Sequence, residues 1–137
     1  MDLRQITLDQ FLCRPDHLQL APSIAEPVDY DIFHDFRGTH HGDLPDSNLS
    51  LHWFGGSEEN VMLLDGQDVV GVYCGEWLSI MRSHRGRCLS VPLILAAIEH
   101  RPMPAERKVT EAGLKALEKA WRVGNGLEPN PWPLDAF

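Results

Sequence analysis

Residues 85–90, Arg-Gly-Arg-Cys-Leu-Ser, form a short basic turn that runs straight into the apolar stretch at 91–98. The first N–H groups of a helix lack intrahelical partners and lie at the positive end of its dipole. With Arg85 and Arg87 beside them, such groups make a cradle for an anion such as a phosphate. The same residues also describe an ordinary strand-to-helix loop with solvated arginines. Cys88, at a helix start among arginines, has the surroundings of a low-pKa thiolate; it also reads as a small residue in a tight turn. Glu76 and His52 carry groups that can take a proton as a general base. Their plain readings are a strand-end surface carboxylate and a half-buried strand histidine. The segment 29–46 gathers His34, Asp35, His40, His41, Asp43 and Asp46. These types could hold zinc for a hydrolytic reaction, or could simply serve turn chemistry. Their spacing assigns no metal ligand.

Several elements must position these residues. Residues 3–13 read as a short helix or an edge strand, and 14–30, with Pro15, Pro22 and Pro27, as at most a short helix. Residues 29–48 are polar and read as loop. Alternation at 49–54 marks a strand closed by Gly55-Gly56. Residues 60–64, 68–73 and 76–81 read as further strands of an antiparallel meander, with a hairpin at Asp65-Gly66 and a second turn at Cys74-Gly75. A helix is predicted from Val91 to about His100, with Ser90 as its N-cap; Val91 and Leu93 to Ile98 are apolar on all sides, so it should be buried and lie flat on the sheet. A second helix is predicted from Thr110 to Val123, with Leu114, Leu117, Ala120 and Trp121 on its inner face. Residues 124–137 form a tail with three prolines and Trp132, which either packs over the core or reaches a neighbouring subunit to make a homodimer.

The chain has 137 residues, 43% of them hydrophobic, enough for a single α+β domain around one two-layer core. Twelve basic residues stand against twenty acidic ones, a formal charge of −8. That balance argues against nucleic acid and against anionic membranes as partners. Three cysteines without repeated spacing argue against a disulfide framework and for a reducing compartment. The first twelve residues lack a signal-peptide core and no stretch reaches spanning length, so a soluble cytoplasmic protein is expected.

The order of antiparallel strands, basic glycine turn and buried helix resembles the GNAT superfamily of acyl-CoA-dependent N-acyltransferases over residues 49–101. That family's phosphate signature is Arg or Gln, two residues, Gly, one residue, then Gly or Ala. Residues 85–90 fall in register with it, Arg85 first, Cys88 and Ser90 in the two small-residue places. The resemblance implies acetyl-CoA or another acyl-CoA as the acyl donor. Its pyrophosphate would lie in the turn Arg85, Gly86, Arg87, Cys88, Leu89 and Ser90, on the backbone N–H groups of Arg87 to Ser90 with Arg85 and Arg87 adding charge, and its thioester arm along the strand bearing Leu78 and Ile80. It further implies direct transfer to a small-molecule or peptide amine, with Glu76 or His52 as base. Three departures are evident. Neither Cys88 nor Ser90 is glycine, and Pro92 removes an N–H near the cradle. Only Tyr30 and Tyr73 are present, neither where the family carries its general acid. The C-terminus is short, with residues 108–109 as a stub of a fifth strand and no final hairpin. Two alternatives are a non-enzymatic binding or interaction module on the same core, docking through its tail, and the metal-dependent hydrolase.

Overall fold

In the computed structural model, residues 1–23, 28–55 and 57–133 are described. Three expected features therefore lie partly outside them: positions 24–27 of the proline-bearing segment 14–30, Gly56 of the glycine turn, and positions 134–137 of the tail. The chain is α+β. After a 3-10 turn at Leu3–Gln5 come helix α1 (Leu8–Leu12), strand β1 (Leu18–Leu20) and a 3-10 segment at Tyr30–Phe36. Five strands follow: β2 (Arg37–Asp43), β3 (Leu49–Phe54), β4 (Ser57–Asp65), β5 (Asp68–Cys74) and β6 (Trp77–Ile80). A 3-10 turn at Arg82–His84 leads to α2 (Ser90–Ile98), β7 (Arg107–Val109) and α3 (Glu111–Gly124).

Strands β2 to β6 form one antiparallel meander in chain order. Alternation on β4 divides the core. Val61 and Leu63 face α2 and α3, together with Leu49, Leu51, Leu93, Ile94 and Leu117. Met62 and Leu64 face the opposite side, against Tyr30, Phe33 and Phe54. β5 departs from simple alternation because Leu63 pairs with Gly71 while Leu64 pairs with Val69, which leaves Val70 as the extra residue of a bulge. Val69 and Val72 therefore join one face, Val70 and Tyr73 the other. The strand is buried on both sides.

The polar segment expected to be loop is instead ordered secondary structure. Tyr30 and Phe33 pin the 3-10 segment to the sheet: the Tyr30 hydroxyl lies 2.6 Å from Ser79 Oγ, and the Phe33 ring sits 5.7 Å from both Phe54 and Trp77. β2 then forms a sheet edge, where only one side of the strand needs a partner and polar residues are tolerated.

α2 lies against β4 and β5 and packs on α3, as its uniformly apolar sequence requires. It ends at Ile98 rather than His100. Its N-cap is Leu89, in helical backbone with no side-chain cap, and Ser90 is already its first residue. α3 begins as expected, with Thr110 Oγ1 accepting from Gly113 N at 3.0 Å. The stub at 108–109 is part of β7, which pairs in parallel with β1 rather than joining the large sheet.

Candidate functional site

Two small cavities lie against Tyr73 and Glu76, and each has room only for water-sized groups. One is closed by Leu78, Val109, Gly113 and Leu117. The other lies beside Arg101, Pro104 and Arg107. Glu76 sits in the β5–β6 connection, directed there by Gly75 at φ 61°, a conformation that favours glycine.

Arg107 organises this corner. Its side chain is 3% exposed. Its Nε donates to the Phe11 carbonyl at 2.6 Å, and its Nη1 reaches both Glu76 oxygens at 3.1 and 3.0 Å. The guanidinium also lies 4.7 Å from the Phe11 ring centre. Arg101 closes the neighbouring strand ends by donating to the carbonyls of Glu59, Gly75 and Tyr73, with its guanidinium 3.8 Å over the Tyr73 ring. Burial pushes the Tyr73 phenol above its ordinary range, with Arg101 opposing. Burial also raises the Cys13 thiol, against the pull of Arg107. Charges so engaged hold β4, β5, the β5–β6 connection, β7 and α1 together. Glu76 is thus a carboxylate fixed by a buried guanidinium, a pairing whose disruption leaves an uncompensated charge.

His52 stands apart from Glu76. It lies on β3, with β4 and β5 between them in sheet order, a separation of roughly 10 Å or more at normal strand spacing. Its Nε2 is 3.2 Å from Ser50 Oγ, and its ring meets His40 edge-on at 5.2 Å. Leu78 and Ile80 turn inward on β6: Leu78 lines a cavity, and Ile80 packs over Gly71, where an added Cβ would come within 3.0 Å of its Cδ1. The outer edge of β6 carries no strand among the described residues.

The 85–90 turn has left-handed backbone at two places, Gly86 at φ 80° and Cys88 at φ 57°. Cys88 thus takes the conformation that the glycine of the resembled signature would supply. Arg85 Nε donates back to the Ile80 carbonyl at 2.9 Å, which ties the turn to the end of β6. Arg85, Gly86, Arg87 and Cys88 are exposed, whereas Leu89 is buried. The tail reaches this turn: Trp132 Nε1 donates to the Arg87 carbonyl at 2.7 Å, with the Arg87 guanidinium 5.8 Å from its ring centre. Trp132 therefore docks on its own chain.

The histidine-rich segment is split among separate pairs. His40 Nε2 is 2.8 Å from Asp43 Oδ1, and His41 Nε2 is 3.1 Å from Glu99 Oε2 across to the end of α2. Among the described residues no group of three or more His, Cys, Asp or Glu could hold a metal ion. Sequence reasoning missed Arg101 and Arg107, because nothing near them in the chain announces partners on β4, β5 and α1. No family model, curated protein or solved structure matches this chain.

Proposed function

We propose that this domain is a binding module that works through its outer surface, on the face of the sheet covered by Tyr30–Phe36. The observation that carries the reading is the two-sided character of that segment. Tyr30 and Phe33 are anchored in the core, while Ile32 and Phe36 on the same segment are each 55% exposed. Large apolar side chains presented on a held segment lose little freedom when a partner covers them, and such groups form the centres of protein interfaces. The cavity groups, by contrast, are engaged in internal pairing. A photo-crosslinking residue placed at Phe36, in the cell of origin, is expected to give a discrete adduct absent when the same residue replaces Leu127, which is also exposed. Equal adducts from both positions, or none from Phe36, would reject the reading.

A second reading, an acyl-CoA site of the GNAT type, is favoured by one observation. Cys88 adopts positive φ at the signature's glycine place, directly before a helix start without a side-chain cap. The open edge of β6 would receive the pantetheine arm and the turn the pyrophosphate. Coenzyme A binding to the folded state should then raise the melting temperature, since ligand at 100 times its Kd adds about 2.7 kcal/mol. An unchanged melting temperature in millimolar coenzyme A would remove this reading.

A further inference from the structure

We infer that the partner covering the Tyr30–Phe36 face presents a cationic, Lys/Arg-bearing protein surface; the inference rests on the binding-module reading and adds the partner's chemistry. Residues 29–36 contain three aspartates and no lysine or arginine. Asp29, Asp31 and Asp35 are exposed and flank Ile32 and Phe36. Asp29 Oδ1 accepts from the Asp31 backbone N–H at 3.1 Å, which shapes the entry to the 3-10 turn.

An apolar contact flanked by carboxylates has a definite preference. The apolar side chains reward any partner that excludes water from them. The carboxylates reward a partner with positive charge and penalise one with negative charge, because like charges brought together at an interface are repelled. The whole chain acts in the same direction, since a net charge of −8 raises the encounter rate with a basic surface and lowers it with an acidic one. The anchoring of Tyr30 and Phe33 fixes the segment's backbone before any encounter. Ile32 and Phe36 lie four residues apart, about 8 Å along a 3-10 segment.

The test is an NMR titration of the intact chain with two amphipathic peptides of the same length, one of Lys and Leu, the other of Glu and Leu. With the Lys/Leu peptide at low salt, saturable amide shifts are expected across residues 29–36. They should shrink several-fold in D31N/D35N and disappear in I32S/F36S. The Glu/Leu peptide should leave these amides unmoved. The cationic partner is overturned if both peptides shift the segment alike, or if D31N/D35N binds the Lys/Leu peptide as the wild type does. In either of those cases, loss of binding in I32S/F36S would keep the surface reading. Shifts of equal size over the exposed acidic positions of α3, such as Glu111, would show attraction to net charge alone and overturn the inference.

Discussion

Tyr73 lies where both cavities, the Arg101 guanidinium and the buried Arg107 meet, and it links pH to stability. Burial holds its phenol above the ordinary value of 10.0. The folded chain therefore keeps the proton at pH values where the unfolded chain gives it up. The stabilisation is complete below pH 10.0 and is lost as pH rises through the folded-state value. We expect Tyr73→Phe to flatten the fall in unfolding free energy above that pH, measured by urea denaturation at matched alkaline pH values. Parallel curves for the two proteins would contradict this. The reactive type of Glu76 is evident from sequence, but its state is not. What decides that state is Arg107, 31 positions away, and pairing over such a distance leaves no local pattern. Cys88 presents a second such case. It adopts left-handed backbone at φ 57°, which its residue type disfavours, so its place among the glycine positions of a turn is not evident from its type.

At the level of elements, β2 depends on close approach to β3. A Cβ added at Gly38 would lie 2.7 Å from the Trp53 carbonyl oxygen, and backbone cannot yield as a flexible side chain can. Gly38→Ala is expected to destabilise the chain by about 1–3 kcal/mol, the usual cost of forcing extra volume into a packed site. Urea unfolding checks it, and a change within about 0.5 kcal/mol, typical of neutral surface sites, would refute it. The elements legible in the sequence are those whose stability is local or periodic. These are β3 to β6, with their alternation and glycine turns, α2 with its apolar run, and α3 with its Thr110 cap. β2 has no apolar alternation, since a sheet edge does not demand one, and Gly38 and Gly42 weaken its strand character further. β1 and β7 are three residues each and exist because each is the other's neighbour.

For the molecule as a whole, the sheet is sandwiched between α2 and α3 on one side and a 3-10 segment on the other, and the two coverings differ in kind. The helical side is bulky and internally paired. The 3-10 side is a thin layer whose outer surface is apolar and acidic, which is why the proposed binding surface lies there. The basic turn at 85–90 is legible in the sequence as a local pattern of arginine and glycine. The surface at 29–36 is not, because the segment reads as polar loop and nothing in its residue types marks which of its apolar side chains the fold leaves outside.

The parallel pairing of β1 with β7 has a consequence for how the chain is made. A ribosome delivers the amino-terminal arm first, yet its partners come late. Leu18–Leu20 wait for Arg107–Val109. The Phe11 carbonyl waits for Arg107, 96 positions on, and the Ile6 carbonyl for Trp121. The meander between them closes through neighbouring hairpins, the kind of short-range contact that forms quickly. The arm thus emerges ahead of the meander and is fastened after it, and during synthesis its apolar residues, Phe11 and Leu12 above all, stay uncovered until α3 appears.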